Sequence, residues 1–287
     1  MIVDTREYDS SKLGRKITPE EARRIQLDML DALAAFCDAH GLTYYLSGGT
    51  LLGAVRHKGY IPWDDDIDVN MPRPDVEKLM ALTGGVLGDH LMIARPEGPI
   101  EQATSFPRLL DTRYVLESCT KQGLSRYYTN LFIDIFPIEG LPTDPKKVRW
   151  HYYKTKSMIT LRKLAYFSGP LAGDPGFFKV ARYIARPFAK LFGYKFWSRQ
   201  LLRLARKYDY DKCEYVGVVM GYVHTIQEYI KREGYGKPTK VLFEGKEYNA
   251  PADTDRYLKN LYGDYMKLPP KDQQIAHHFD IWEIKGD

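Results

Sequence analysis

Apolar positions Ile25, Met29, Leu33, Phe36 and Cys37 recur at helical spacing after Thr18-Pro19-Glu20-Glu21. Thr18 can cap that helix, Pro19 suits its first position, Glu21 completes a capping box, and Gly41 can end it. Leu42 to Leu46 is rich in β-branched and aromatic side chains and predicts a strand. Ser47-Gly48-Gly49-Thr50 breaks it, and a short helix is expected from Thr50 to Val55. Ile67 to Met71 alternates apolar and polar side chains, as a strand does. A helix is expected from Pro74 to Thr83, and three short strands near Leu91 to Arg95, Arg113 to Glu117 and Leu131 to Phe136.

From about Asp144 to Lys207 the pattern is helical, with breaks at Gly169-Pro170 and Asp174-Pro175-Gly176. Val241 to Tyr248 predicts a hairpin turning at Glu244-Gly245-Lys246, and Asp253 caps a helix running to Tyr262 and Gly263. The pattern is α+β: a small mixed sheet early, a helical segment, then a mixed tail. The expected organisation is a core over residues 1–143, a helical segment over 144–210, and residues 211–287 completing a single domain.

Composition adds little: 44% apolar and 28% charged residues describe a globular chain without repeats or low-complexity tracts. Cys37, Cys119 and Cys213 stand far apart and form no zinc or disulfide pattern. The charged start and the absence of an apolar run of about 18 residues lead us to expect a cytoplasmic protein. Charge changes the picture more. Between Lys146 and Lys207 there are 16 Lys or Arg and one acid, Asp174, so this span carries +15 and the remainder −10 of a net +5. Such a block suits an anionic partner (a membrane surface, a phosphorylated glycan or nucleic acid), the alternative being a solvated helical face.

Three elements carry candidate chemistry. In Ser47-Gly48-Gly49-Thr50 the glycines let backbone approach an anion between strand and helix, although taken alone such a pair is more often an ordinary turn. In Trp63-Asp64-Asp65-Asp66-Ile67-Asp68, an extended chain would set Asp64, Asp66 and Asp68 on one face. Three crowded carboxylates call for a cation, and a compact all-oxygen site suits Mg²⁺ or Mn²⁺. The calcium-loop template fails, because Val69 and Asp75 stand where it needs Gly and Glu. Third, Asp134 lies within the apolar run Leu131 to Phe136, where it either pairs with an arginine in the core or joins the metal site from a neighbouring strand.

The order strand, glycine turn, short helix, acidic strand, acid-bearing strand resembles the nucleotidyltransferase superfold. More closely, Leu46 to Arg56, Ile61 to Asp68 and Asp134 to Pro142 resemble the LicD family of phosphocholine transferases, relatives of fukutin and the fukutin-related ribitol-phosphate transferases. Tyr262 to Pro270 with His277-His278 is similar to that family's closing motif, while Glu139 stands where many relatives have Asp.

The resemblance implies a CDP-conjugate donor, CDP-choline first, and a sugar hydroxyl of a lipid-linked or polymeric glycan such as teichoic acid or lipopolysaccharide as acceptor. It implies that Asp66 and Asp68 hold Mg²⁺, that Asp64 is a further ligand, and that Asp134 serves the acceptor hydroxyl as ligand or base. It also implies that the non-nucleotide phosphate moves. The rival reaction transfers a nucleoside monophosphate and expels pyrophosphate, and a non-catalytic glycan-binding protein is a third reading. Ser47, Gly48, Gly49, Thr50, Arg56 and His57 are expected at the donor phosphates, with His277 and His278 near phosphate or acceptor. Tyr44, Tyr45, Tyr60, Trp63, Tyr127 and Tyr128 are candidates to surround a trimethylammonium group. Arg182 to Arg199 mixes apolar, aromatic and basic side chains, as an interfacial helix does, so peripheral contact with anionic membrane is expected and nucleic acid is not.

Overall fold

A computed structural model describes residues 8–96, 98, 102, 104–119, 126–167, 177–221, 225–274 and 279–285. In chain order the elements begin with β1 (Leu13–Lys16), α1 (Pro19–His40), β2 (Tyr45–Leu46), α2 (Gly48–His57), β3 (Asp68–Pro72) and α3 (Arg73–Thr83). β4 (Leu91–Ala94), β5 (Arg108–Cys119), β6 (Arg126–Leu141), α4 (Pro145–Tyr166) and α5 (Phe177–Ala205) follow. The chain finishes with β7 (Tyr215–Val218), β8 (Ile230–Lys231), α6 (Arg232–Tyr235), β9 (Thr239–Phe243), β10 (Lys246–Ala250), α7 (Thr254–Tyr262) and β11 (Asp280–Ile284). The fold is α+β.

Local chemistry sets several boundaries as expected. Glu21 N–H donates to Thr18 Oγ1 at 3.2 Å while Thr18 N–H donates to Glu21 Oε2 at 2.8 Å, a closed capping box. Gly41 ends α1 in the left-handed conformation at φ 62°. Asp253 caps α7 by accepting from Arg256 N–H, and β9 and β10 form the expected hairpin.

Among the described residues the main sheet has nine strands, with β1-β11-β5-β6-β3-β2 as its path, β4 beside β5 and β7–β8 continuing from β6. β3 and β6 run parallel with Asp68 level with Asp134, and the other pairings of the sheet are antiparallel. A core of α1, α2, β3, β5 and β6 buries Leu30, Leu33, Leu51, Ile67, Ile133 and Ile135 completely. Each such aliphatic side chain contributes about 1.5–3 kcal/mol on burial. A second cluster under α4 and α5 gathers Val148, Ile159, Leu201, Ala205 and Val219.

Four expectations need correction. The glycines expected as a turn before α2 belong to its first turn, because Ser47 C=O already accepts from Leu51 N–H. Two of the three short strands are long, of 12 and 16 residues, since the β5–β6 ladder continues through polar positions with a register shift between Asp111 and Val115. Arg182 to Arg199 is not one straight helix: Gly193, at φ 74° and ψ 157°, breaks α5. The expected breaks at Gly169-Pro170 and Asp174-Pro175-Gly176 lie outside the described residues. The fourth correction concerns the carboxylates, whose segment enters β3 only at Asp68.

Candidate active site

The carboxylate segment is held from two sides. From α1, Arg23 donates to the carbonyls of Pro62 at 3.1 Å and Asp64 at 2.6 Å, and Gln26 Nε2 donates to Asp65 C=O at 3.1 Å. Asp64 N–H reaches back to Ile61 C=O at 2.8 Å, closing a turn over Pro62-Trp63. That turn replaces the extended alternation expected from sequence. As a result Asp64, Asp65 and Asp66 converge, each offering an oxygen within 4.8 Å of the others. Asp65, which period-two spacing would send to the opposite face, joins the cluster.

From the other side, α2 is latched onto Asp68. Ser47 N–H donates to Asp68 C=O at 3.0 Å, and Asp68 N–H donates to Thr50 Oγ1 at 2.9 Å. Ser47 Oγ lies 3.1 Å from Tyr257 OH, which also accepts from Asn70 Nδ2 at 3.1 Å. The Ser47 backbone N–H and the Thr50 hydroxyl thus brace Asp68, while the Ser47 hydroxyl meets Tyr257. The glycines admit the acids: a Cβ on Gly49 would stand 2.6 Å from Asp64 Oδ2, and one on Gly48 3.3 Å from Asp68 Oδ2. Carboxylates against the N-terminus of α2 meet the positive end of its dipole.

Asp134 is buried at the level of Asp68, one strand away. Arg108, which opens β5 opposite Asp134, donates through Nε to Asp134 Oδ1 at 2.5 Å, with its guanidinium 3.7 Å from the Phe132 ring centre. Both readings of Asp134 therefore have a counterpart: it pairs with an arginine, and it faces the acidic cluster. Burial pushes the carboxyls of Asp66 and Asp68 well up. Asp64, Asp134 and Asp65 add to the shift at Asp66, and Asp66, Asp134 and Asp64 to that at Asp68, while Arg108 opposes the latter. The closeness of the Asp64 carboxyl adds to the rise at Asp66. Burial and Asp64 likewise raise Asp65 to about 7, against the pull of Arg23, and Asp65 Oδ2 is buried with no protein donor. Acids in this condition fit a divalent cation, which would neutralise them.

The other expected site residues lie elsewhere. Arg56 and His57 end α2, about 12 Å along its axis from Gly48 at 1.5 Å per residue. There Arg56 Nε donates to His57 Nε2 at 2.9 Å and Arg56 also donates to Tyr265 C=O at 2.8 Å, tying α2 to the segment after α7. Burial, and then Arg56, hold the His57 imidazole below its ordinary pKa. His277 and His278 lie outside the described residues. Tyr44, Tyr45 and Tyr60 are core side chains, and of the aromatic candidates Trp63 lines a cavity of about 400 Å³. This cavity abuts Asp64 and Asp65 and is walled by Arg23, Phe132 and Phe279. Sequence reasoning missed Arg108 and Asp65, and named Tyr262 only as the start of the closing motif, whereas its hydroxyl would lie 3.7 Å from a Cβ on Gly48. Arg108 reaches the site through strand pairing, with no local signal. The DDD run itself could have flagged Asp65.

Comparison with known proteins follows this geometry. Residues 41–167, which span α2, β3, β5 and β6, match the family described as LicD/FKTN/FKRP, nucleotidyltransferase domain. The chain is 30% identical over 266 residues to the lipopolysaccharide cholinephosphotransferase LicD of Haemophilus influenzae, covering 92% of this chain and 97% of that protein. The chain belongs to the LicD family. Another LicD-family relation is the human ribitol 5-phosphate transferase FKRP, 45% identical over 51 residues, or 18% of this chain and 10% of that protein. The LicD-type match to the bacterial enzyme runs far beyond the carboxylate segment, into the helical and C-terminal parts of the chain.

Proposed function

We propose that this protein transfers phosphocholine, or a closely similar phospho-alcohol, from a CDP-conjugate to a sugar hydroxyl of a cell-surface glycan such as lipopolysaccharide or teichoic acid. The observation that carries this reading is the similarity to a cholinephosphotransferase along nearly its whole length. The convergence of Asp64, Asp65 and Asp66 beside Asp68 and Asp134 supports it.

Asp64, Asp66 and Asp68 would hold Mg²⁺ or Mn²⁺, with Asp65 and Asp134 beside them. Such an ion would supply charge neutralisation for the diphosphate. The rest is the work of this chain. α1 and α2 fix the carboxylates, so little reorganisation is needed when donor binds. Arg108, paired with Asp134, would hold that carboxylate in place, where it would accept the acceptor hydroxyl's proton. The acceptor oxygen would bond to the phosphorus bearing choline as the bond to the CMP phosphate breaks, and CMP would leave. The cavity beside Asp64 and Asp65 suits the choline end of the donor, since aromatic faces and a carboxylate attract a quaternary ammonium.

Purified protein with Mg²⁺, CDP-choline and a glycan acceptor should release CMP and label the acceptor with choline. Pyrophosphate released from a nucleoside triphosphate, with no CMP, would favour the nucleotidyl-transfer rival that the matched family's description keeps in view. Asp66→Asn and Asp68→Asn should each reduce turnover more than the roughly hundredfold typical of residues that only orient a metal ligand. Near-normal turnover in either would remove the metal assignment. Asp134→Asn should lower kcat with little change in donor binding.

A further inference from the structure

The paired helices α4 and α5 present a surface that phosphoryl transfer does not use. In α5 ahead of Gly193, Val180, Ile184 and Leu191 are 58%, 74% and 80% exposed, and Tyr183, Phe188 and Phe192 are about half exposed. At 3.6 residues per turn these six side chains fall within about half of the helix circumference. Arg182, Arg186 and Lys190, spaced four apart, run along a neighbouring stripe. Ala189 faces inward: it is fully buried and its carbonyl accepts from the Trp197 indole at 2.9 Å. A helix with a ridge of six large apolar side chains turned to water is unfavourable unless something covers the ridge.

We propose that this ridge seats the protein on an anionic lipid surface, with the first part of α5 lying in the interface plane. The apolar ridge would enter the acyl boundary while basic side chains meet the lipid phosphates. Charge selects this occupant. The span from Lys146 to Lys207 has 16 basic residues and one acid, so a second copy placed ridge to ridge would oppose like charges. A nucleic acid could stack on Tyr183, Phe188 and Phe192 but would leave Val180, Ile184 and Leu191, the most exposed of the ridge, in water, whereas an acyl boundary takes both kinds. No described helix is long and apolar enough to cross a membrane. The break at Gly193 lets the chain turn from the ridge back into the body, where Trp197 and Leu201 are buried. The proposal is independent of which group the enzyme transfers.

Co-sedimentation of the full chain with phosphatidylcholine vesicles, with and without phosphatidylglycerol, tests it. Binding is expected only with the anionic lipid and should weaken as salt is raised. Ile184→Ser and Leu191→Ser, both at exposed positions, should each weaken binding by about tenfold, and circular dichroism should show the fold retained. Absence of binding at low salt overturns the proposal. So does binding unchanged in the Ile184→Ser/Leu191→Ser double variant, which would reduce the contact to charge alone. Light scattering that shows a dimer lost in the double variant, without lipid binding, would assign the ridge to a second copy instead.

Discussion

Gly49 and Asp64 show how closely the site is fitted. A methyl on Gly49 would lie 2.6 Å from Asp64 Oδ2, the end of a side chain that can swing away, and Gly49 has an ordinary helical φ. Gly49→Ala should therefore fold with a melting temperature close to that of the parent, yet displace a carboxylate. Since a misplacement of an ångström can cost about a hundredfold in rate, turnover should fall by roughly that factor. Thermal melts and steady-state kinetics on the same sample check both halves. The residues that carry charge here were legible in the sequence, because three acids in a row between apolar neighbours have few other uses. Their arrangement was not. Asp65 joins them because the turn after Ile61 curls the chain, and that turn depends on Arg23 and Gln26, some forty residues earlier.

α2 illustrates the opposite case, in which a glycine serves the fold. A Cβ on Gly53 would meet the Gly59 carbonyl at 2.5 Å and the Ile61 nitrogen at 3.2 Å, both backbone atoms with no freedom to yield. Gly53→Ala is expected to lower stability by about 1–3 kcal/mol, the usual cost of overpacking, which urea unfolding would measure. Elements with local signals were read correctly: the capping box of α1, the Glu244-Gly245 turn of the β9–β10 hairpin, and the Asp253 cap of α7. What escaped were features set by distant partners. β1 is a short strand because β11, more than 260 residues later, pairs with it. Arg108 belongs to the site because the β5–β6 ladder sets it opposite Asp134. The bend of α5 at Gly193 escaped because glycine within a helical pattern usually costs only about 1 kcal/mol and leaves the helix continuous.

Across the molecule, the crowded and half-buried carboxylates oppose folding until something neutralises them. Mg²⁺ should raise the melting temperature, by an amount equivalent to about 2.7 kcal/mol at a hundred times its dissociation constant. Asp66→Asn should melt higher than the parent without metal and respond less when metal is added, as scanning fluorimetry with Mg²⁺ and with EDTA would show. A separate pH effect comes from His151 in α4. It is buried with Nε2 unpartnered, and burial together with Lys207 and Lys154 pushes its pKa from 6.5 down to about 4. Between those values the unfolded chain holds a proton that the folded one does not. The contribution is therefore complete above pH 6.5 and lost as pH falls toward 4, by up to roughly 3 kcal/mol. His151→Gln should be less sensitive to acid than the parent over that window, read as the difference between their unfolding curves.

The place of β11 between β1 and β5 bears on how the protein is made. A chain emerging from the ribosome holds β5 before the strand that flanks it has been synthesised, so an interior edge of the sheet stays open through most of translation. Open edges recruit other strands. The carboxylate cluster, formed by residues 64–68 and 134, can thus be complete in sequence while the sheet beneath it is still unfinished. Synthesis of this protein should therefore lean on chaperones that shield nascent strands until residues 280–284 arrive.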